Sequence, residues 1–85
     1  VSVMRLSGPR AHAAAEALAG PLPPVARTLR TLRLAGEPLD QALVLTWEVP
    51  NSFTGEHVAE LHLHGSPAAV AAVSRALLAL GVALA

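Results

Sequence analysis

The segment from residue 57 to residue 64 carries the side chains best suited to chemistry, because apolar and polar residues alternate along it. Alternation with a period of two predicts a β-strand whose two faces differ. Glu60, His62 and His64 would share one face, and His57 would lie on the other with apolar residues. One interpretation is a polar pocket that includes Glu60 and His64. The other is a solvated outer face, which the residue types alone favour.

The same face suggests a metal site as an alternative. Two histidines separated by one residue on a strand can ligate zinc, with Glu60 as a third ligand. The sequence has no cysteine, and it offers no further distant ligand in a recognisable pattern. Because any polar-faced strand can produce this arrangement, we predict neither metal ligands nor a catalytic residue.

Arg5 lies near the end of a short apolar segment, residues 1–6, where an unpaired guanidinium would be unusual. Its forked donors can clamp a planar ligand that is anionic or carries an amide. Alternatively, Arg5 forms a structural ion pair with a neighbouring strand, for which Glu60 is a candidate. The residues alone leave both interpretations open.

The elements that would position these residues follow from periodicity and turn signals. Ser66 and Pro67 predict an N-cap and a first helical position, and Gly20-Pro21 predicts the end of an alanine-rich helix. The order β-α-β-β-β-α-β predicts an α+β fold, a mixed sheet with two helices packed on one face and right-handed β-α-β crossovers. The predicted strands span residues 1–6, 25–35, 41–49, 57–64 and 82–85, and the predicted helices span residues 10–19 and 67–80.

Three further patterns refine this assignment. Arginines recur every three residues in the segment 25–35, but its threonines favour a strand. Within strand 41–49, one face is predicted to hold Trp47 with three aliphatic residues, and residues 50–56 form a loop of turn residues. The inner face of the second helix is predicted to hold four apolar residues at helical spacing, namely Val70, Val73, Leu77 and Leu80.

Composition limits what the chain can do. It has 85 residues, of which 53% are hydrophobic and 14% charged, and its net charge is zero. These values predict one small domain and argue against an autonomous nucleic-acid binder; the role of Arg27, Arg30 and Arg33 stays open. No P-loop motif and no apolar run long enough to span a membrane occur in the sequence. Both ends are strand-like, and we therefore expect a domain truncated at both ends or one that needs partners.

Three segments together resemble a known family. They are Val-Met-Arg-Leu-Ser-Gly at 3–8, Pro-Asn-Ser-Phe-Thr-Gly-Glu at 50–56, and Val-Ala-Glu-Leu-His-Leu-His-Gly at 58–65, with Leu-Asp-Gln at 39–41. In this order and spacing they resemble the N-terminal domain of the MnmE/TrmE family of tRNA modification GTPases. The resemblance covers nearly all of residues 1–85, which we interpret as one partial domain of this kind. It departs from the family in lacking a leading strand and in having Gly65-Ser66-Pro67 instead of Gly-Gly-Pro.

The resemblance implies a fold similar to the folate-binding domain of the glycine-cleavage T-protein. It implies a homodimer that binds 5-formyl-tetrahydrofolate, or a related tetrahydrofolate, near the dimer interface. Arg5 and Glu60 match two of the family's folate contacts, and a third contact, a lysine, belongs to a segment beyond this sequence. The alternative is a structural dimerisation module that binds no ligand.

The resemblance also implies partners and cofactors for the complete family protein. That protein adds a helical domain and a GTPase domain that uses GTP, Mg²⁺ and K⁺, and neither domain is in this sequence. It works in the cytoplasm with an FAD-dependent partner protein on the wobble uridine, U34, of certain tRNAs. Whether this chain is itself an enzyme is left open, because it carries no GTPase motif.

Overall fold

The computed structural model describes residues 2–48 and 57–84. The loop predicted at residues 50–56 and the predicted position of Val49 lie outside the described residues, as do Val1 and Ala85. The elements follow the predicted order. They are β1 (Ser2–Ser7), α1 (Ala11–Ala19), β2 (Ala26–Leu34), β3 (Glu37–Glu48), β4 (His57–Leu63), α2 (Pro67–Ala79) and β5 (Ala83–Leu84).

The strands form one sheet in the order β2-β3-β4-β1-β5. The α+β class and the two helices are confirmed, but the expectation of a mixed sheet is wrong, because every described pair of neighbouring strands is antiparallel. The reason lies in the connections. Helix α1 joins β1 to β2 at the far edge, and these two strands run in opposite directions. Helix α2 joins β4 to β5, which run the same way but are separated by β1.

Both helices pack on the same face of the sheet. Alternate residues of β1, β3 and β4 point to this face, as the two-residue period of a strand requires, and those in the middle of the sheet are fully buried. Small alanines of α1 and a stripe of apolar residues of α2 cover them. The shared core includes Leu6, Ala42, Val44, Ala59, Leu61, Leu63, Ala11, Ala14, Ala15, Leu18, Val73, Ala76 and Leu77.

The helix boundaries agree with the local signals. The Ser66 hydroxyl accepts a hydrogen bond of 3.3 Å from the backbone N–H of Ala69, and Pro67 is the first residue of the helix, as predicted. Helix α1 ends at Gly20, which has a positive φ of 84°. The predicted inner face of α2 is correct for Val73 and Leu77, which are buried. It is wrong for Leu80, which is the C-cap residue and is 38% exposed.

The ambiguous segment at 25–35 is a strand, as predicted, and it forms a hairpin with β3. Leu34 pairs with Glu37, so Ala35 and Gly36 form a two-residue turn. Both have positive φ angles, 52° and 83°, as a type I′ turn requires. Ala35 has a side chain in a backbone region that favours glycine or asparagine, and the turn therefore stores strain.

Candidate ligand-binding face

The face of the sheet opposite the helices carries the predicted site residues. Among the described residues, no helix covers this open face, and its central strands present mixed polar and apolar side chains. The alternation predicted for β4 is confirmed: Ala59 and Leu61 are buried against the helices, whereas Glu60 and His62 lie on the open face. The open face includes Val3 and Arg5 from β1, Val58, Glu60 and His62 from β4, Leu43, Leu45 and Trp47 from β3, and Arg27 and Leu29 from β2.

The sheet places Arg5 and Glu60 directly opposite each other. They are partners in the antiparallel register of β1 and β4. A cross-strand pair on one face has its β-carbons about 5 Å apart, close enough for the side chains to interact. The two residues singled out from the sequence are therefore neighbours on the open face.

The Glu60 carboxylate is engaged by a neighbour on its own strand. Its Oε1 accepts a hydrogen bond of 3.1 Å from Nε2 of His62. The Glu60 side chain is 21% exposed and the His62 side chain 29% exposed, so the pair is shielded but reachable. An ionised carboxylate has about four acceptor positions on its two oxygens. Glu60 therefore retains the capacity to accept further donors from a ligand.

Arg5 is engaged by an aromatic ring. Its guanidinium carbon lies 5.6 Å from the ring centroid of Trp47, which is the range of a cation–π contact. We call a row of paired residues that crosses the strands on one face a rung. Trp47 pairs with Val58 of β4, and this rung is next to the rung of Arg5 and Glu60 on the open face. The contact therefore spans β4 diagonally, and Val58, which faces the same side, is only 2% exposed.

The proposed ion pair between Arg5 and Glu60 does not form. The described side chains include no contact within 4.0 Å between these two charged groups. Each group instead interacts with a different neighbour, His62 or Trp47. The prediction that Glu60 is the ion-pair partner of Arg5 is therefore wrong. Both charged groups keep hydrogen-bonding capacity on the open face.

The remaining histidines of the strand segment do not join Glu60 in one cluster. His64 follows the end of β4 and is exposed. His57 points to the helix side with Ala59, as predicted from the alternation. In the described part of the chain, no group of three or more histidine and acidic side chains is placed to hold a metal ion.

A histidine that sequence analysis did not select supports the site from the other side of the sheet. Nε2 of His12, on α1, lies 3.1 Å from the Trp47 carbonyl and 3.0 Å from the Val58 carbonyl. Its ring lies 4.7 Å from the ring of His57, whose Nδ1 is 3.7 Å from Oε1 of Glu48. His12 thus fixes the rung that carries Trp47. Nothing in its alanine-rich surroundings signals this role, because the two carbonyls come from distant segments.

The Leu-Asp-Gln segment has a structural role at the end of β4. Oδ2 of Asp40 accepts a hydrogen bond of 2.7 Å from the backbone N–H of Gly65, and Oδ1 accepts one of 2.8 Å from the backbone N–H of Gln41. A β-carbon on Gly65 would lie 2.6 Å from Asp40 Oδ2 and 2.8 Å from the Ala69 β-carbon. This corner therefore needs glycine for close approach.

The three arginines of β2 do not form one basic surface. Arg27 is exposed on the open face, since it pairs with Leu45. Arg30 points to the helix side, where Nη1 donates a 3.4 Å hydrogen bond to the Ala19 carbonyl. A register shift separates Arg33 from both. Their spacing by three on a strand thus divides them between the two faces.

Neither helix in the described part of the chain is long and apolar enough to cross a membrane. The homodimer and the folate contacts of Arg5 and Glu60 stay predictions. The fold and face define a small α+β domain whose open sheet carries an arginine and a glutamate on one rung.

Comparison with known proteins identifies the family of this domain. Residues 1–85 match the family described as GTP-binding protein TrmE N-terminus, and the chain belongs to that family. The predicted resemblance is therefore confirmed.

Curated relatives named tRNA modification GTPase MnmE match almost all of this chain. The relative from Paracoccus denitrificans is 54% identical over 83 residues, covering 96% of this chain and 20% of the relative. The relative from Halorhodospira halophila is 57% identical over 83 residues, covering 95% and 18%. The relative from Caulobacter vibrioides is 50% identical over 86 residues, covering 100% and 19%. The chain thus spans about a fifth of the length of these relatives.

Proposed function

We propose that this chain is the tetrahydrofolate-binding and dimerisation domain of a GTPase that modifies the wobble uridine of tRNA. Two things support the proposal. The chain belongs to the TrmE N-terminal family, and its relatives are named tRNA modification GTPases. The observation that carries it is on the open face, where Arg5 and Glu60 lie opposite each other on neighbouring strands without forming an ion pair.

The chemistry of the two side chains fits a tetrahydrofolate. The aminopyrimidine edge of a pterin offers two parallel N–H donors, which a carboxylate accepts well. Glu60 is the acceptor on this face, and its hydrogen bond to His62 leaves acceptor positions on both oxygens. Arg5 would donate to a carbonyl or carboxylate oxygen of the same ligand. When bound, 5-formyl-tetrahydrofolate would supply the one-carbon unit, and these residues would hold and orient it.

The open face also supports dimerisation. Val3 is 54% exposed and Leu29 58% exposed on this face, beside the half-buried Leu43 and Leu45. Apolar side chains that cross an uncovered sheet are typical of a contact surface. A second copy could cover them through a self-complementary interface. The similarity of this domain to the glycine-cleavage T-protein, and the ligand-free dimerisation module as the alternative function, stay predictions.

The remaining features belong to the proposed complete protein. GTP, Mg²⁺ and K⁺ would be bound by a GTPase domain outside this sequence, and tRNA and the FAD-dependent partner would be engaged by the full assembly. The proposed location is the cytoplasm. In this scheme the present domain contributes the folate site and the dimer contact, and no catalytic residue of GTP hydrolysis.

Calorimetric titration of 5-formyl-tetrahydrofolate tests the proposal. We expect the wild-type protein to bind and Glu60→Gln to bind at least about tenfold more weakly, because a hydrogen bond to a charged group contributes about 1.5–3 kcal/mol. Glu37→Gln is the matched control, since it makes the same change at an exposed hairpin residue. Equal affinity of the two variants would refute the site. Self-association without any folate binding would instead support the ligand-free dimerisation module.

A further inference from the structure

Arg5 and Glu60 are held apart although the sheet places them together. Opposite charges that face each other across neighbouring strands attract, and such pairs commonly stabilise a sheet. Here each charged group has another partner: the guanidinium lies over Trp47, and the carboxylate binds Nε2 of His62. This divergence calls for a physical cause, because both side chains are long enough to meet.

The two partners lie on opposite sides of the rung formed by Arg5 and Glu60. Trp47 pairs with Val58, which precedes Glu60 by two residues on β4. His62 follows Glu60 by two residues on the same face. The guanidinium is therefore drawn toward one end of the strand and the carboxylate toward the other. The result is a donor group and an acceptor group separated on one open surface.

We propose that His62 and Trp47 are positioning residues that keep Arg5 and Glu60 from closing into a direct ion pair, so that a flat ligand with N–H donors and an oxygen acceptor can bind both. This inference rests on the proposed folate-binding function, and it adds the residues that keep the site open. Without His62, the carboxylate loses its alternative partner and closes on Arg5. A ligand would then have to break that ion pair before binding.

The fluorescence of Trp47 tests the positioning without any ligand. Trp47 is the single tryptophan of this sequence, which has no tyrosine, so its emission reports on the group above its ring. Arg5→Met provides the emission of a ring without a guanidinium. We expect His62→Ala to shift the emission toward that reference, because Arg5 leaves the ring for Glu60. His62→Gln should restore the wild-type emission, because its amide N–H can donate to Glu60.

A double variant separates this mechanism from a general disturbance of the face. In His62→Ala combined with Glu60→Gln, no carboxylate remains to attract Arg5, and the emission should return to the wild-type value. Wild-type emission in His62→Ala alone would overturn the proposal. Unchanged far-ultraviolet circular dichroism would show that each variant is folded, as expected for changes on a partly exposed surface.

A ligand titration completes the test. We expect His62→Ala to weaken binding of 5-formyl-tetrahydrofolate about tenfold, and His62→Gln to bind within about threefold of the wild type. Trp47→Phe, which keeps an aromatic face, should bind more tightly than Trp47→Leu. Equal affinities of His62→Ala and the wild type would overturn the role in binding. Failure of the wild type to bind would refute the proposed function, while the emission of the variants would still decide whether His62 holds the charges apart.

Discussion

Replacing Gly65 by alanine tests the corner that ends β4. The added β-carbon would lie 2.6 Å from Asp40 Oδ2 and 2.8 Å from the Ala69 β-carbon, which are distances that real β-carbons do not tolerate. The Asp40 carboxylate would have to move and would weaken its 2.7 Å hydrogen bond to the Gly65 N–H. Overpacking costs about 1–3 kcal/mol, and a hydrogen bond to a charged group contributes about 1.5–3 kcal/mol. Because this corner is exposed and the hydrogen bond is weakened rather than lost, the two costs do not add in full, and we expect a loss of about 2 kcal/mol.

The assay is chemical denaturation, with thermal unfolding as a second readout. A loss of about 2 kcal/mol corresponds to a fall in Tm of about 10 °C for a domain of this size. Asp40→Ala removes the nearer of the two groups that the new methyl would strike, so Gly65→Ala should cost less in that background than in the wild type. Equal costs in the two backgrounds would refute the steric argument. A stability of Gly65→Ala equal to that of the wild type would refute the geometry of the corner itself.

Three further predictions concern the hairpin, the core and the support of the open face. Ala35→Asn should raise the free energy of unfolding by about 1 kcal/mol, because asparagine tolerates a positive φ better than alanine does. A lower free energy of unfolding, measured by chemical denaturation, would contradict the strain in the turn. Leu61→Ala should lower the free energy of unfolding by about 3 kcal/mol, whereas Leu78→Ala, at an exposed position, should lower it by less than about 0.5 kcal/mol. Similar losses in the two variants would show that the core is assigned wrongly. His12→Ala should lower the free energy of unfolding by about 1 kcal/mol and change the fluorescence emission of Trp47. Unchanged emission would show that His12 does not hold Trp47 in place.

Local sequence signals predicted most of the elements, because they depend on near neighbours. The alternation at 57–64 correctly separates Glu60 and His62 from the buried Ala59 and Leu61. The Ser66-Pro67 signal correctly marks the start of α2. The threonines of β2 correctly predict a strand although the three-residue spacing of the arginines favours a helix, because β-branched residues pack well on a pleated surface.

The arrangement of the strands could not be predicted in the same way. The order of strands and the antiparallel pairing of β1 with β4 depend on contacts between segments far apart in sequence. The expected mixed sheet had β-α-β crossovers, which join parallel strands, but α1 joins the inner strand β1 to the edge strand β2, which runs in the opposite direction. The position of Arg5 opposite Glu60 follows from that pairing, whereas the contacts of Arg5 with Trp47 and of His12 with two carbonyls also need the pairing of β3 with β4.

We propose that Glu60 and Arg5 bind the pterin of a tetrahydrofolate on the open face. A crystal structure of the protein with 5-formyl-tetrahydrofolate would show whether they do. We expect the aminopyrimidine edge on the Glu60 carboxylate, with His62 still bonded to Oε1 and an oxygen of the ligand on the Arg5 guanidinium. A ligand bound on the helix side of the sheet, or bound without contact to Glu60, would contradict it.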